Sequence, residues 1–65
     1  MDTTHLHASM ARLPARQRMA LAMWAFADAD VSAIASALAI DENAAHQLLH
    51  RAKRGLRAAL QEPQP

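Results

Sequence analysis

The chain has no cysteine and no tyrosine, and its 65 residues include one glycine, one tryptophan and one phenylalanine. Without cysteine there is no disulfide, thiolate zinc site or thiol nucleophile to consider, and the same absence fits a reducing cytoplasm. So few aromatics argue against a β-rich fold. A single glycine excludes a glycine-rich phosphate loop. No apolar run is long enough to cross a bilayer. The segment from Met1 to His7 is polar and lacks the apolar core of a secretory signal. These absences lead us to expect a soluble, cytoplasmic protein that has no membrane contact and needs no cofactor.

What is present is helix-forming. Hydrophobic residues make up 52% of the chain, with alanine dominant, and Ala, Leu, Met, Gln and Arg all favour helix. The expectation is an all-α fold in one domain spanning 1–65, with an ordered core over about 5–60 and a frayed polar tail at 61–65. Domains of this size bury only about 60% of the surface their unfolded chains expose. Net charge is +1 but unevenly placed. Arg12, Arg16 and Arg18 come early, and Arg51, Lys53, Arg54 and Arg57 come late. Asp28, Asp30, Asp41 and Glu42 lie between them. A segregated basic end is the footprint a polyanion recognises, although any surface helix shows a charged face.

Hydrophobic spacing divides the chain into four helices. The first runs from about Thr4 to Arg12, with Leu6, Met10 and Leu13 on one face, and Pro14 separates it from the second. The second covers about Pro14 to Ala27. One row holds Met19 or Ala20, Met23 and Ala27, and the adjacent row holds Leu21, Trp24 and Ala25. Trp24 and Phe26, the only aromatics, are expected to anchor the core, and Met10, Met19 and Met23 to fill it. Asp30 is a candidate N-cap for a third helix from Val31 to Leu38, whose Val31, Ile34, Ala35 and Leu38 share a face. Asp41 caps the fourth, expected from Glu42 to about Leu60, with Glu42 favourably placed at its N-terminal dipole. Its inward series is Ala45, Leu49, Ala52, Leu56 and Leu60. Gly55, inside that helix, costs about 1 kcal/mol of propensity relative to alanine.

A short helix, a tight turn at Ala39-Ile40 and a longer helix with a basic end form a helix-turn-helix pattern. In such motifs the second helix lies in the major groove. The stretch MARLPARQRMAL, Met10 to Leu21, resembles the opening of region 4 of the extracytoplasmic-function sigma factors. VSAIASALAI, Val31 to Ile40, resembles that family's first motif helix, and LLHRAKRGLRAAL, Leu48 to Leu60, its closing helix. The resemblance runs without gaps from about Leu6 to Leu60. It implies a four-helix fold ending in a helix-turn-helix without a wing, and no enzymatic activity. It also implies a function in transcription initiation, with the second motif helix on a −35-type promoter element in double-stranded DNA. The implied protein partners are the flap of the RNA polymerase β subunit and anti-sigma factors. Region 2, which opens the −10 element, is not in this sequence, so the expectation is an excised C-terminal domain or a stand-alone regulator.

The departures from the family pattern fall on the turn and the reading helix. Ala39 stands where glycine is usual, and alanine tolerates a left-handed backbone poorly. Asn43 to Leu48 replaces the frequent Gly-Thr-Val-Lys-Ser-Arg, so His46 and Leu48 take the places of two cations. Carried onto this chain, the base-facing set is Glu42, Asn43, His46 and Gln47. Asn43 and Gln47 suit adenine edges. The phosphate set is Arg16, Arg18, His50, Arg51 and Arg54. Leu48 is expected to be exposed, as the family's arginine is; a lone surface leucine needs no further explanation, and the alternative is that it forms a protein interface with Ala44. The depleted reading helix motivates the alternative function, a protein-interaction module that binds an anti-sigma factor or polymerase with little or no DNA binding.

Two other constellations are weaker. His46 and His50 are one turn apart with Glu42 a turn earlier, a spacing that can hold a metal. No further ligand accompanies them, and surface histidines explain them better, so no metal is expected. Asp28 and Asp30 resemble a carboxylate pair, but capping accounts for Asp30. Ser9, Ser32 and Ser36 have no base beside them in sequence.

Overall fold

Proline and two aspartates divide the chain. The computed structural model describes residues 3–62, with helices α1 (Thr3–Ala11), α2 (Ala15–Phe26), α3 (Val31–Leu38) and α4 (Glu42–Gln61). There is no strand among the described residues. Pro14, which has no N–H, sits just before α2 in an extended conformation (φ −53°, ψ 147°), and its carbonyl accepts from the Arg18 N–H at 2.9 Å. Asp30 and Asp41 are the N-caps foreseen for α3 and α4. The Ala33 N–H donates to Asp30 Oδ1 at 2.8 Å and the Ala44 N–H to Asp41 Oδ1 at 2.6 Å. Each carboxylate satisfies an orphan donor and places negative charge at the positive end of a helix.

α4 is the spine. At 1.5 Å per residue it spans about 30 Å, along a molecule whose longest dimension is 38 Å. It packs against α1, α2 and α3, and α2 also packs against α3. The core gathers Met10 and Leu13, Ala20 and Leu21, Ile34, Ala35 and Leu38, and Ala45, Leu49 and Ala52. The α3 face is as the spacing implied, except that Val31 is only half-buried. The inward series of α4 holds at Ala45, Leu49 and Ala52, whereas Leu56 and Leu60 are half-buried.

The two aromatics do not anchor the core. Trp24 is 44% exposed and Phe26 61%, and Met19, expected as core filler, is 50% exposed. Leu21 takes the buried position on α2, and Trp24 stands at the surface with the Lys53 ammonium over its ring. The most deeply buried positions of α2 and α4 include the small residues Ala20, Ala45 and Ala52, and Gly55 lies so near the α1–α2 corner that a Cβ there would sit 2.8 Å from Leu13 Cδ2. Gly55 therefore offsets its helix-propensity cost by letting Leu13 seat against α4.

The tail expectation also needs correcting at its near end. Gln61 belongs to α4, and the Glu62 carboxylate pairs with Arg12 beyond the end of α1. Residues 63–65 of that tail, like Met1 and Asp2, lie outside the described residues.

Candidate nucleic-acid interface

The helix-turn-helix is α3, a three-residue turn and α4. Ala39 takes the left-handed conformation (φ 57°, ψ 46°) that closes α3. The Ile40 N–H reaches back to the Ala35 carbonyl at 3.0 Å and the Ala39 N–H to the Ser36 carbonyl at 3.3 Å. This paired closure satisfies the last carbonyls of the helix. A cation-to-carbonyl contact joins the motif to the rest of the domain. The Arg16 guanidinium on α2 donates to the Leu38 carbonyl at the C-terminal end of α3, where the helix dipole favours positive charge.

With the turn fixed in this way, α4 presents its polar face outward. Glu42, Asn43, His46 and Gln47 are all exposed over its first two turns, and His50, Arg51 and Arg54 continue that surface. His46, Gln47, His50, Arg51 and Arg54 line one shallow concavity. Arg16, Ile40, Ala44, Gln47, Leu48 and Arg51 line an adjoining one. Gln47 and Arg51 border both, so the two concavities form one surface. Glu42 and Asn43 lie at its N-terminal edge. The guanidiniums of Arg16, Arg51 and Arg54 outweigh the Glu42 carboxylate there, which suits a polyanion.

The model of region 4 of the sigma-70 family matches residues 5–56. The chain belongs to the sigma-70 region 4 family. No curated protein matches the chain, and no solved structure does. The family is a DNA-binding one, with a helix-turn-helix that acts in transcription initiation alongside RNA polymerase, and not an enzyme family.

Within this region 4 domain the expected phosphate residues separate into two places. Arg16, His50, Arg51 and Arg54 share the α4 surface, whereas Arg18 donates to the Ala11 carbonyl at 3.2 Å, at the end of α1. Arg18 lines neither concavity. Leu48, expected on the surface, is half-buried and packs partly on the core, and Ala44 is half-buried beside it. The reason is Ile40, whose place in the turn brings an apolar side chain against that flank of α4. Among the described residues no group of three or more His, Asp or Glu is placed to hold a metal, and no helix is long and apolar enough to cross a membrane.

A further surface has no local signature in the sequence. Leu21 and Trp24 of α2 form an apolar groove with Leu56 and Leu60 of α4, edged by Lys53 and Arg57. The Lys53 ammonium lies 3.8 Å from the centroid of the Trp24 ring, and Phe26 meets His7 edge-on with centroids 6.5 Å apart. These pairs join residues far apart in the chain, so no local motif announces them.

Proposed function

We propose that this domain is the region 4 module of an extracytoplasmic-function type of sigma factor, working in the cytoplasm, and that α4 reads a −35-type promoter element from the major groove. The observation that carries this reading is the single outward surface on α4. Its polar side chains Glu42, Asn43, His46 and Gln47 lie over the first two turns, with Arg51 and Arg54 behind them and Arg16 beside them. Side chains near the N-terminus of such a helix reach base edges, and cations beyond them hold phosphates and fix the docking angle. Asn43 and Gln47 are each able to pair with an adenine, and Glu42 to accept from a cytosine amino group. His50 donates to a phosphate beside Arg54.

Three phosphate contacts, by Arg16, Arg51 and Arg54, give a slope of about −2.7 in log affinity against log salt, or about 40-fold between 50 and 200 mM. Fluorescence anisotropy with a labelled random-sequence duplex tests this. Binding at low salt that weakens at about that rate is the expected result. An isolated domain that binds no duplex even at low salt would sink the DNA reading.

A second reading concerns protein partners, and the groove around Trp24 favours it. An exposed indole with Leu56 and Leu60, edged by Lys53 and Arg57, combines apolar area with basic rims. Surfaces of this kind suit an acidic amphipathic helix. The flap of the polymerase β subunit and an anti-sigma factor are the partners we assign to it. On this reading the groove carries the protein contact in place of the Ala44 and Leu48 interface, and it leaves the α4 surface free for DNA. Trp24→Ala is expected to weaken polymerase binding by tenfold or more, as loss of a central aromatic does, while leaving duplex affinity unchanged. Equal binding of the variant to polymerase would remove the groove from the interface.

A further inference from the structure

The DNA-facing surface contains an apolar strip that polar recognition does not use. Ala44 and Leu48 are one turn apart on α4, and together with Ile40 they form the apolar part of a concavity shared with Gln47 and bordered by the guanidiniums of Arg16 and Arg51. Leu48 rests partly on the core and leaves the remainder of its side chain open. Gln47 and Arg51 also border the basic concavity of His46, His50 and Arg54. A ligand that engages Gln47 and Arg51 on the basic surface therefore lies beside the apolar strip as well. This continuity favours the same nucleic acid as occupant over a separate protein.

A major groove offers one apolar projection, the C5-methyl of thymine, which stands beside thymine O4 and the N6 and N7 of its paired adenine. We propose that Leu48 and Ala44 read thymine methyl groups, so that the domain selects T·A pairs at the base pairs facing the second turn of α4. Gln47 takes the adenine edge beside the methyl, and Arg16 and Arg51 hold the phosphates on either side. The leucine in place of a phosphate-binding cation thus exchanges general affinity for discrimination. The proposal rests on α4 lying in the major groove.

The test separates the two ideas. The full chain is used to enrich duplexes from a random-sequence pool. The enriched duplex is then resynthesised with deoxyuridine replacing thymidine at one position at a time, which removes only the methyl. At one or two positions the substitution should weaken binding about fourfold, the worth of one buried methyl-sized group, and Leu48→Ala should abolish that difference. Equal affinity for thymidine and deoxyuridine at every position, or an enriched sequence without thymine, overturns the methyl contact and leaves the major-groove reading standing. A deoxyuridine effect that persists in Leu48→Ala, with the fold confirmed by circular dichroism, overturns the assignment to Leu48. Absence of binding to any duplex overturns both. The wild-type comparison needs no variant, so a Leu48→Ala chain that does not fold leaves the first arm intact.

Discussion

Ala39 has a backbone that suits glycine better. In the left-handed region its Cβ crowds the following carbonyl, a cost of about 1–2 kcal/mol for an L-residue. It holds that conformation because the Ile40 and Ala39 N–H groups both close onto α3 and because Asp41 must begin α4 immediately afterward. Glycine removes the crowding but adds freedom to the unfolded chain, which offsets part of the gain. Ala39→Gly should therefore raise stability by about 0.5–1 kcal/mol. For a domain of this size that is a rise of several degrees in melting temperature, about 4–8 °C per kcal/mol. Thermal denaturation followed by circular dichroism checks it, and a lower midpoint would show that Ala39 contributes a contact that outweighs its backbone cost.

At the scale of elements, the caps explain which boundaries could be read from sequence. α3 and α4 fall where Asp30 and Asp41 precede apolar residues at three- and four-residue spacing, because a short carboxylate followed by an amphipathic run admits one helix start. α2 shows the opposite case. Its apolar residues surround the helix, so spacing alone cannot decide which side turns inward. The burial of Leu21 and Ala20 in place of Trp24 and Phe26 is settled by how α2 packs on α3 and α4, a tertiary fact. The burial of Leu48 depends likewise on Ile40 across the turn, and the hold of Arg16 on Leu38 joins residues 22 positions apart. The exposed positions over the first two turns of α4 are legible because they follow from one cap and one helical period. On the proposed DNA reading Asp41 links fold to function, since the turn it begins carries Glu42 and Asn43. Asp41→Ala should cost about 1 kcal/mol in urea denaturation, and its duplex affinity should fall even where the domain remains fully folded. An affinity equal to wild type under those conditions would mean that the first turn of α4 takes no part in binding.

Over the whole molecule, α4 serves two surfaces with one set of cations. Arg51 and Arg54 line the concavity proposed to meet DNA, whereas Lys53, between them in sequence, turns its ammonium onto the Trp24 ring. Net charge counts all three alike, but a salt titration does not, because only a cation that neutralises a phosphate releases counterions. Arg51→Ala should thus reduce the slope of log affinity against log salt by about 0.9 and leave folding stability unchanged to within about 0.5 kcal/mol, as an exposed substitution does. Lys53→Ala removes the same formal charge. It should leave the slope nearly unaltered and instead lower stability by about 0.5–1 kcal/mol through loss of the cation–π contact. Anisotropy titrations at several salt concentrations, paired with thermal denaturation of both variants, read the two quantities independently. Equal changes in slope for Arg51→Ala and Lys53→Ala would mean that DNA responds to the total charge of α4, and the division of the helix into a DNA side and a partner side would fail.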